Sequence, residues 1–392
     1  MNASARSAFE EGVRAAARGD FGAAASAFQQ ALAEDPNAFR AAYNLGVLAD
    51  RAGNEGRALE YYRRALRIQP DYEAAAAGIV AIHIRRGAVS DAIAFIEPLA
   101  REWERNLHLQ ALYAETLVQA DRVDEAMAAA RAALRRDERF VPAMVAIIKA
   151  SLKRGRTELA SSVLEQALRI DPNHAELHFL NGQLLRAQPG RLREAIESFR
   201  RAVELRPDFI EARTELGLQL LAGGNYADAL AHFEHAARLA PTLPQIHLHL
   251  GDGYRVNRRW QQAKASIDRA LSIEPDLPEA YYNLGLLYMT AGAEFPGPDL
   301  LTALQLAVES IQRYRNMMGP RLRRDDPSQS LLEDLQRRIE GERRRIEREE
   351  ARRRREAERA AREAARQQQG GGNAGGGSGE SGGGAQGSGG GG

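Results

Sequence analysis

A chain of 392 residues can hold two or three ordinary domains or one long array, and 44% hydrophobic with only 6% aromatic residues suits closely packed helices better than a bulky core. No run approaches the roughly 20 apolar residues of a membrane helix, and the absence of cysteine excludes disulfides, thiol catalysis, cysteine-ligated zinc, iron–sulfur sites and a thiol-linked lipid anchor. The formal charge of +1 is unevenly spread, because residues 337–366 hold 13 Arg against 8 Glu.

From the N-terminus, prolines recur at Pro36, Pro70, Pro172, Pro207, Pro241 and Pro275, with gaps of 34, 102, 35, 34 and 34 residues. Such a period marks an internal repeat. Small residues align at the same period. Ala24, Ala58, Ala92, Ala126, Ala160, Ala195, Ala229 and Ala263 form one column, and Gly12, Gly46, Gly182, Gly217, Gly251 and Gly285 fall in another. Four residues after members of the alanine column stand Phe28, Tyr62, Ile96, Leu164, Phe199, Phe233 and Ile267. Two helices per repeat can cross closely only where side chains are small, a larger residue fills the space beside the crossing, and Pro ends the second helix. Repeats three and four depart from the pattern, with Glu104 and Glu138 where Pro is expected.

The pattern predicts eight full repeats and a ninth that begins at Pro278 and is interrupted by AEFPGPD. A helix from about Leu300 to Arg315 closes the stack, so that the array occupies residues 1–315. A hinge follows at 316–327. Residues 328–369 read as an Arg/Glu-rich helix whose apolar residues, Leu331, Leu332, Leu335, Ile339 and Ile346, make a short seam. The seam is lost after Ile346, the rest is charged all round, and the segment reads as a single exposed helix held by i,i+4 pairs such as Asp334–Arg338 and Glu349–Arg353. Residues 370–392 are a Gly-rich tail whose composition predicts disorder.

YNLGVLAD with ALEYYRRALRIQP in repeat two, and ELGLQLL with ALAHFEHAARLAP in repeat seven, resemble the tetratricopeptide repeat (TPR) family. The resemblance implies an all-α, right-handed α-solenoid of about nine repeats, with nine repeats making roughly one superhelical turn. It also implies a concave groove, lined by the first helix of each repeat, where protein or peptide partners bind. At 100° per residue, the positions opposite the packed face in repeats three to five include Ala77, Ala81, Ile84, Ala111, Glu115, Val118, Val145, Lys149 and Leu152, with Leu112 beside them. That apolar stretch is the candidate partner groove. Lys149 and Lys153, with Arg154 and Arg156, would favour an acidic flank on the partner. The two-carboxylate clamp of some TPR domains is not matched, since Asn44 stands at its middle position but Phe9, Val13, Ala74 and Gly78 occupy the companion positions.

No G-K-[ST] loop, G-x-S-x-G elbow or H-E-x-x-H helix is present, so no enzyme, cofactor or metal is expected. Gly251-Asp252-Gly253 sits in the packing column, Arg18-Gly19-Asp20 is a turn between helices, and the pairs His174/His178, His232/His235 and His247/His249 lack a third ligand. The expected function is a non-enzymatic protein–protein interaction scaffold or adaptor. The alternative is a nucleic-acid-associated or regulatory subunit acting through the Arg-rich helix, although interleaved Glu and the lack of aromatics weigh against nucleic acid. The bias of 51 Arg to 3 Lys and the RREAERAARE-type extension are similar to TPR proteins of myxobacterial gliding-motility and envelope assemblies. A cytoplasmic location is the default expectation, or an envelope-associated one if the true start lies upstream and carries an export signal.

Overall fold

The computed structural model describes residues 1–371 and is built from helices, with no strand among the described residues. The expected tail therefore lies almost wholly outside the described residues. Eight helix pairs follow one another: α1 (Ala3–Ala17) with α2 (Phe21–Glu34), α3 (Phe39–Arg51) with α4 (Glu55–Ile68), α5 (Glu73–Arg85) with α6 (Val89–Glu102), and α7 (Leu107–Gln119) with α8 (Val123–Leu134). Then come α9 (Val141–Lys153) with α10 (Thr157–Ile170), α11 (Ala175–Arg186) with α12 (Leu192–Leu205), α13 (Ile210–Ala222) with α14 (Tyr226–Leu239), and α15 (Pro244–Val256) with α16 (Trp260–Ile273). Each helix packs mainly on its partner and on the next pair, which is the architecture of an α-solenoid.

The packing explains the columns. Tyr62 is 3% exposed and lies between Gly46 and Gly78, where added Cβ atoms would sit 2.5 and 2.6 Å from its ring. Only glycine allows that approach. The same geometry recurs at Gly182 against Phe199 and Gly217 against Phe233, while the alanine column from Ala24 to Ala263 is fully buried. Turns inside the pairs use a left-handed residue, glycine in most repeats. Repeats four and eight place Asp121 (φ 61°) and Arg258 (φ 58°) there instead, so the backbone form persists without the residue that adopts it freely.

Residues Met1–Leu277 form one compact unit, and a second begins at Pro278. Within the first unit, α7 and α9 pack directly on each other through Ala114, Ala143, Ala146 and Ala150, besides packing on their own partners. Small residues on successive first helices tighten the curvature. The array then comes round until the turn at Gly53 lies against Thr242, whose methyl would be 3.2 Å from a Cβ at Gly53. A cavity of about 630 Å³ lined by Val47, Arg51, Arg85, Ile210, Leu243 and Gln245 separates the two stretches. The circuit thus takes about six repeats rather than the nine implied by resemblance.

In the second unit α17 (Pro278–Ala291) pairs with α18 (Leu300–Met318), and Gly285 lies against Ile311 as its counterparts do elsewhere. Asp299 caps α18 by accepting from the Thr302 amide at 2.7 Å. The last helix, α19 (Ser328–Gly371), packs on α18. Leu332 and Leu335 are buried, the Tyr314 hydroxyl donates to Asp326 at 2.7 Å, and Arg315 donates to the Ser328 hydroxyl at 2.7 Å. The first turns of α19 are therefore fastened through the connection that precedes them, whereas every side chain from 351 to 366 is exposed. Asp334–Arg338, Glu340–Arg344 and Glu349–Arg353 close as ion pairs at 2.8, 3.2 and 2.8 Å.

Candidate partner groove

The first helices α5, α7, α9 and α11 stand side by side and present one face of repeats three to six. Ala81 and Lys153 are exposed there, and Ala77, Ile84, Leu112, Glu115, Lys149 and Leu152 are half-buried. Ala111, Val118 and Val145 are only 2%, 4% and 1% exposed. The direct packing of α7 on α9 buries most of Val118, Ala111 is buried on the same helix, and Val145 joins the cluster around Met144, Ile148 and Leu177. Exposure of these three would have required wider spacing between first helices.

Between α7, α9 and α11 the surface dips into a cavity of about 300 Å³. Leu152, Phe179 and Leu180 form its apolar wall with an edge of Val118, and Gln119, Gln183 and the stems of Lys149 and Lys153 make the rim. Phe179 is fixed by ring contacts with Phe199 and Phe209, centroids 5.8 and 5.0 Å away. Phe179 and Gln183 were not among the candidate residues. They occupy in repeat six the positions held by Val145 and Lys149 in repeat five, so carrying the same positions one repeat further would have found them.

Lys149 joins three repeats. Its ammonium lies 2.5 Å from Glu115 of α7 and 2.6 Å from Glu176 of α11. Burial pushes the Glu115 carboxyl above its ordinary value, with the Glu176 charge adding to the effect and Lys149 opposing it. For Glu176 burial acts in the same direction, but the Lys149 charge outweighs it and holds this carboxyl below its ordinary value. Burial also works against the Lys149 charge, and the two carboxylates overcome it and raise its pKa. The three groups together carry one surplus negative charge when all are ionised.

Lys153 and Arg154 are engaged as well. Lys153 donates to the Val118 carbonyl at 2.6 Å, closing the C-terminal end of α7, and lies 3.6 Å from Asp121, while Arg154 lies 3.5 Å from Asp124. Lys149, Lys153 and Arg154 thus face carboxylates and carbonyls of their own chain, which leaves these three less charge to offer an acidic partner flank.

The remaining sequence candidates resolve into structure. His178 and His247 place Nε2 2.9 and 3.0 Å from the carbonyls of Pro172 and Pro241, and in the repeat between them Arg213 donates Nε to Pro207 at 2.7 Å. One position thus serves the prolyl carbonyl six residues upstream in three successive repeats. No group of three His, Cys, Asp or Glu that could hold a metal occurs among the described residues. Cβ atoms on Gly251 and Gly253 would sit 2.8 Å from Ile267 and 3.0 Å from Phe233, so both are packing glycines. Asp20 caps α2 by accepting from the Ala23 amide at 2.9 Å. No helix among the described residues is long and apolar enough to cross a membrane.

Comparison with known proteins agrees with this architecture. A tetratricopeptide repeat family model matches residues 9–73, 145–208 and 189–244, and a second such model matches 220–284. The unmatched stretch between 73 and 145 covers the repeats in which glutamate replaces proline. No curated protein matches the sequence. Among solved structures, the Cut9-Hcn1 hetero-tetramer of the APC/C aligns at 14% identity over 84% of this chain and 76% of the other, with a TM-score of 0.48. A thermophilic TPR protein of Thermus thermophilus aligns at 22% identity over 46% and 98%, TM-score 0.41. YrrB, a TPR protein with an unusual peptide-binding site, aligns at 23% identity over 47% and 95%, TM-score 0.35. The repeat period, the glycine-to-aromatic packing and the family matches lead to one conclusion: the chain belongs to the tetratricopeptide repeat family.

Proposed function

We propose that this solenoid is an adaptor that holds a peptide segment of a protein partner across repeats three to six. The fold supports a protein-interaction scaffold in general. The observation that carries the finer reading is the cavity between α7, α9 and α11, which has an apolar wall on a face that otherwise meets solvent. An apolar partner side chain seated against Leu152 and Phe179 would supply the burial, and the ion-paired rim would hold the cavity's shape before binding, which lowers the ordering cost of association. Because the Lys149 group carries a surplus negative charge, a basic or neutral residue beside the apolar anchor suits the rim better than an acidic one. The setting proposed is a bacterial multiprotein assembly, on the Arg-for-Lys bias of the sequence.

The test is selection of peptides from a random displayed library on the full chain, followed by fluorescence anisotropy of the selected sequences. Ala81→Arg combined with Gln183→Arg fills the surface of the groove without entering the core, and is expected to weaken binding at least about tenfold. Glu165→Arg, an exposed position on the second helix α10, should leave it unchanged. Equal loss in both variants, with helicity retained, would remove the groove from the account.

A further inference from the structure

Beyond its packed first turns, α19 carries an ordered charge pattern that folding does not require. Arg344, Arg348, Arg352, Arg355, Arg359, Arg362 and Arg366 follow one another at intervals of three or four residues. At 100° per residue they fall within about 80° of the helix circumference, and no other residue of 344–366 shares that sector. All seven are exposed. The glutamates of this stretch lie outside the sector, with Glu349, Glu356 and Glu363 along one border.

A solvated helix that needed only its own ion pairs would interleave the signs on each face, since like charges three or four residues apart destabilise it. Here neighbours along the stripe are all alike. Arg344 pairs with Glu340 at 3.2 Å and Arg352 reaches Glu356 at 3.6 Å, but no carboxylate among the described residues bridges Arg355, Arg359 or Arg362. The stripe is thus left without enough negative charge on its own element.

The chemistry of the stripe selects its partner. Protein interfaces draw their affinity from buried aromatic and aliphatic anchors, and residues 347–366 contain only Arg, Glu and Ala. Insertion at a membrane surface needs an apolar face, which the same composition rules out. A phosphate backbone is a surface to which charge alone confers affinity, through release of condensed counterions, and the planar guanidinium pairs well with phosphate oxygens. The stretch has no Asn, Gln or aromatic residue to read bases or stack on them. We propose that residues 344–366 of α19 form a rail, about 33 Å long at 1.5 Å per residue, that docks on the phosphate backbone of double-stranded nucleic acid without regard to sequence.

The experiment uses the full chain and a fluorescein-labelled DNA duplex of about 30 base pairs, titrated by anisotropy over a salt series. The expected result is binding whose log K falls with log salt with a slope of about −0.9 for each phosphate contacted, and which is insensitive to base sequence. Arg355→Gln with Arg359→Gln and Arg362→Gln should weaken it about tenfold or more and flatten the slope by about 2 to 3. Arg343→Gln with Arg353→Gln and Arg354→Gln removes the same charge from other faces and should weaken it far less. Glutamine favours helix, and circular dichroism of both variants confirms that α19 persists. Failure of the wild-type chain to bind the duplex overturns the proposal, as does equal weakening by the two triple variants. Binding confined to vesicles containing phosphatidylserine, with none to the duplex, assigns the stripe to lipid and also overturns it.

Discussion

Lys149 neutralises one of two carboxylates while touching both, so Glu115 and Glu176 experience the same ammonium and respond in opposite directions. A carboxyl whose pKa is raised by folding opposes folding once it is ionised, whereas one whose pKa is lowered favours folding when ionised. Glu115→Gln is therefore expected to leave Tm at pH 7 unchanged or higher, and Glu176→Gln to lower it. The Glu115→Gln advantage should open as pH rises from the ordinary carboxylate value near about 4.3 through the raised one. The Glu176 contribution is present above that ordinary value, and should fade as pH falls through the lowered one. Thermal melts of both variants from pH 3 to 8 check the signs, and a larger loss for Glu115→Gln than for Glu176→Gln at pH 7 would reverse the assignment. Arg258 offers a second residue-scale test, because it holds a left-handed φ of 58° where most repeats use glycine. Arg258→Gly is expected to stabilise by about 1 kcal/mol, read as a raised Tm; a lowered Tm would mean that contacts of the arginine outweigh the strain.

At the scale of the helix pair, the glycine-to-aromatic contact sets how closely two helices approach. Gly46→Val would drive a side chain into the Tyr62 ring, with its Cβ 2.5 Å from that ring, and should cost about 1–3 kcal/mol by overpacking. The measurement is the Tm of the full chain, and an unchanged value would show that the second pair has slack. This layer was legible in the sequence because each repeat solves the same local problem: Gly46 and Tyr62, or Gly217 and Phe233, recur at one period and need no knowledge of distant neighbours. The candidate groove was less legible. Whether Ala111, Val118 and Val145 face a partner or are buried depends on how closely first helices of successive repeats approach, and no single repeat encodes that. Likewise the pairing of Lys149 with carboxylates about one repeat to either side could not be read from the run of basic residues in which it sits. Asp121 and Arg258 show a third limit: the turn keeps its shape where its sequence signal is absent.

For the solenoid unit as a whole, curvature decides what the repeats can offer. First helices α7 and α9 pack directly on each other and the Gly53 turn lies against Thr242, so the first helices face the interior of a circuit rather than an open trough. Such an interior is preformed, and in the reading proposed above a partner segment would reach it along the axis of that circuit. The central claim is that binding takes place on α7, α9 and α11 inside it. Hydrogen–deuterium exchange of the full chain, with and without a peptide selected as above, tests this most directly because it reports every helix at once. The account expects slowed exchange in Leu107–Gln119, Val141–Lys153 and Ala175–Arg186, with the second helices of the same repeats little changed. Protection confined to the second helices or to α19, with these three unaffected, would contradict it.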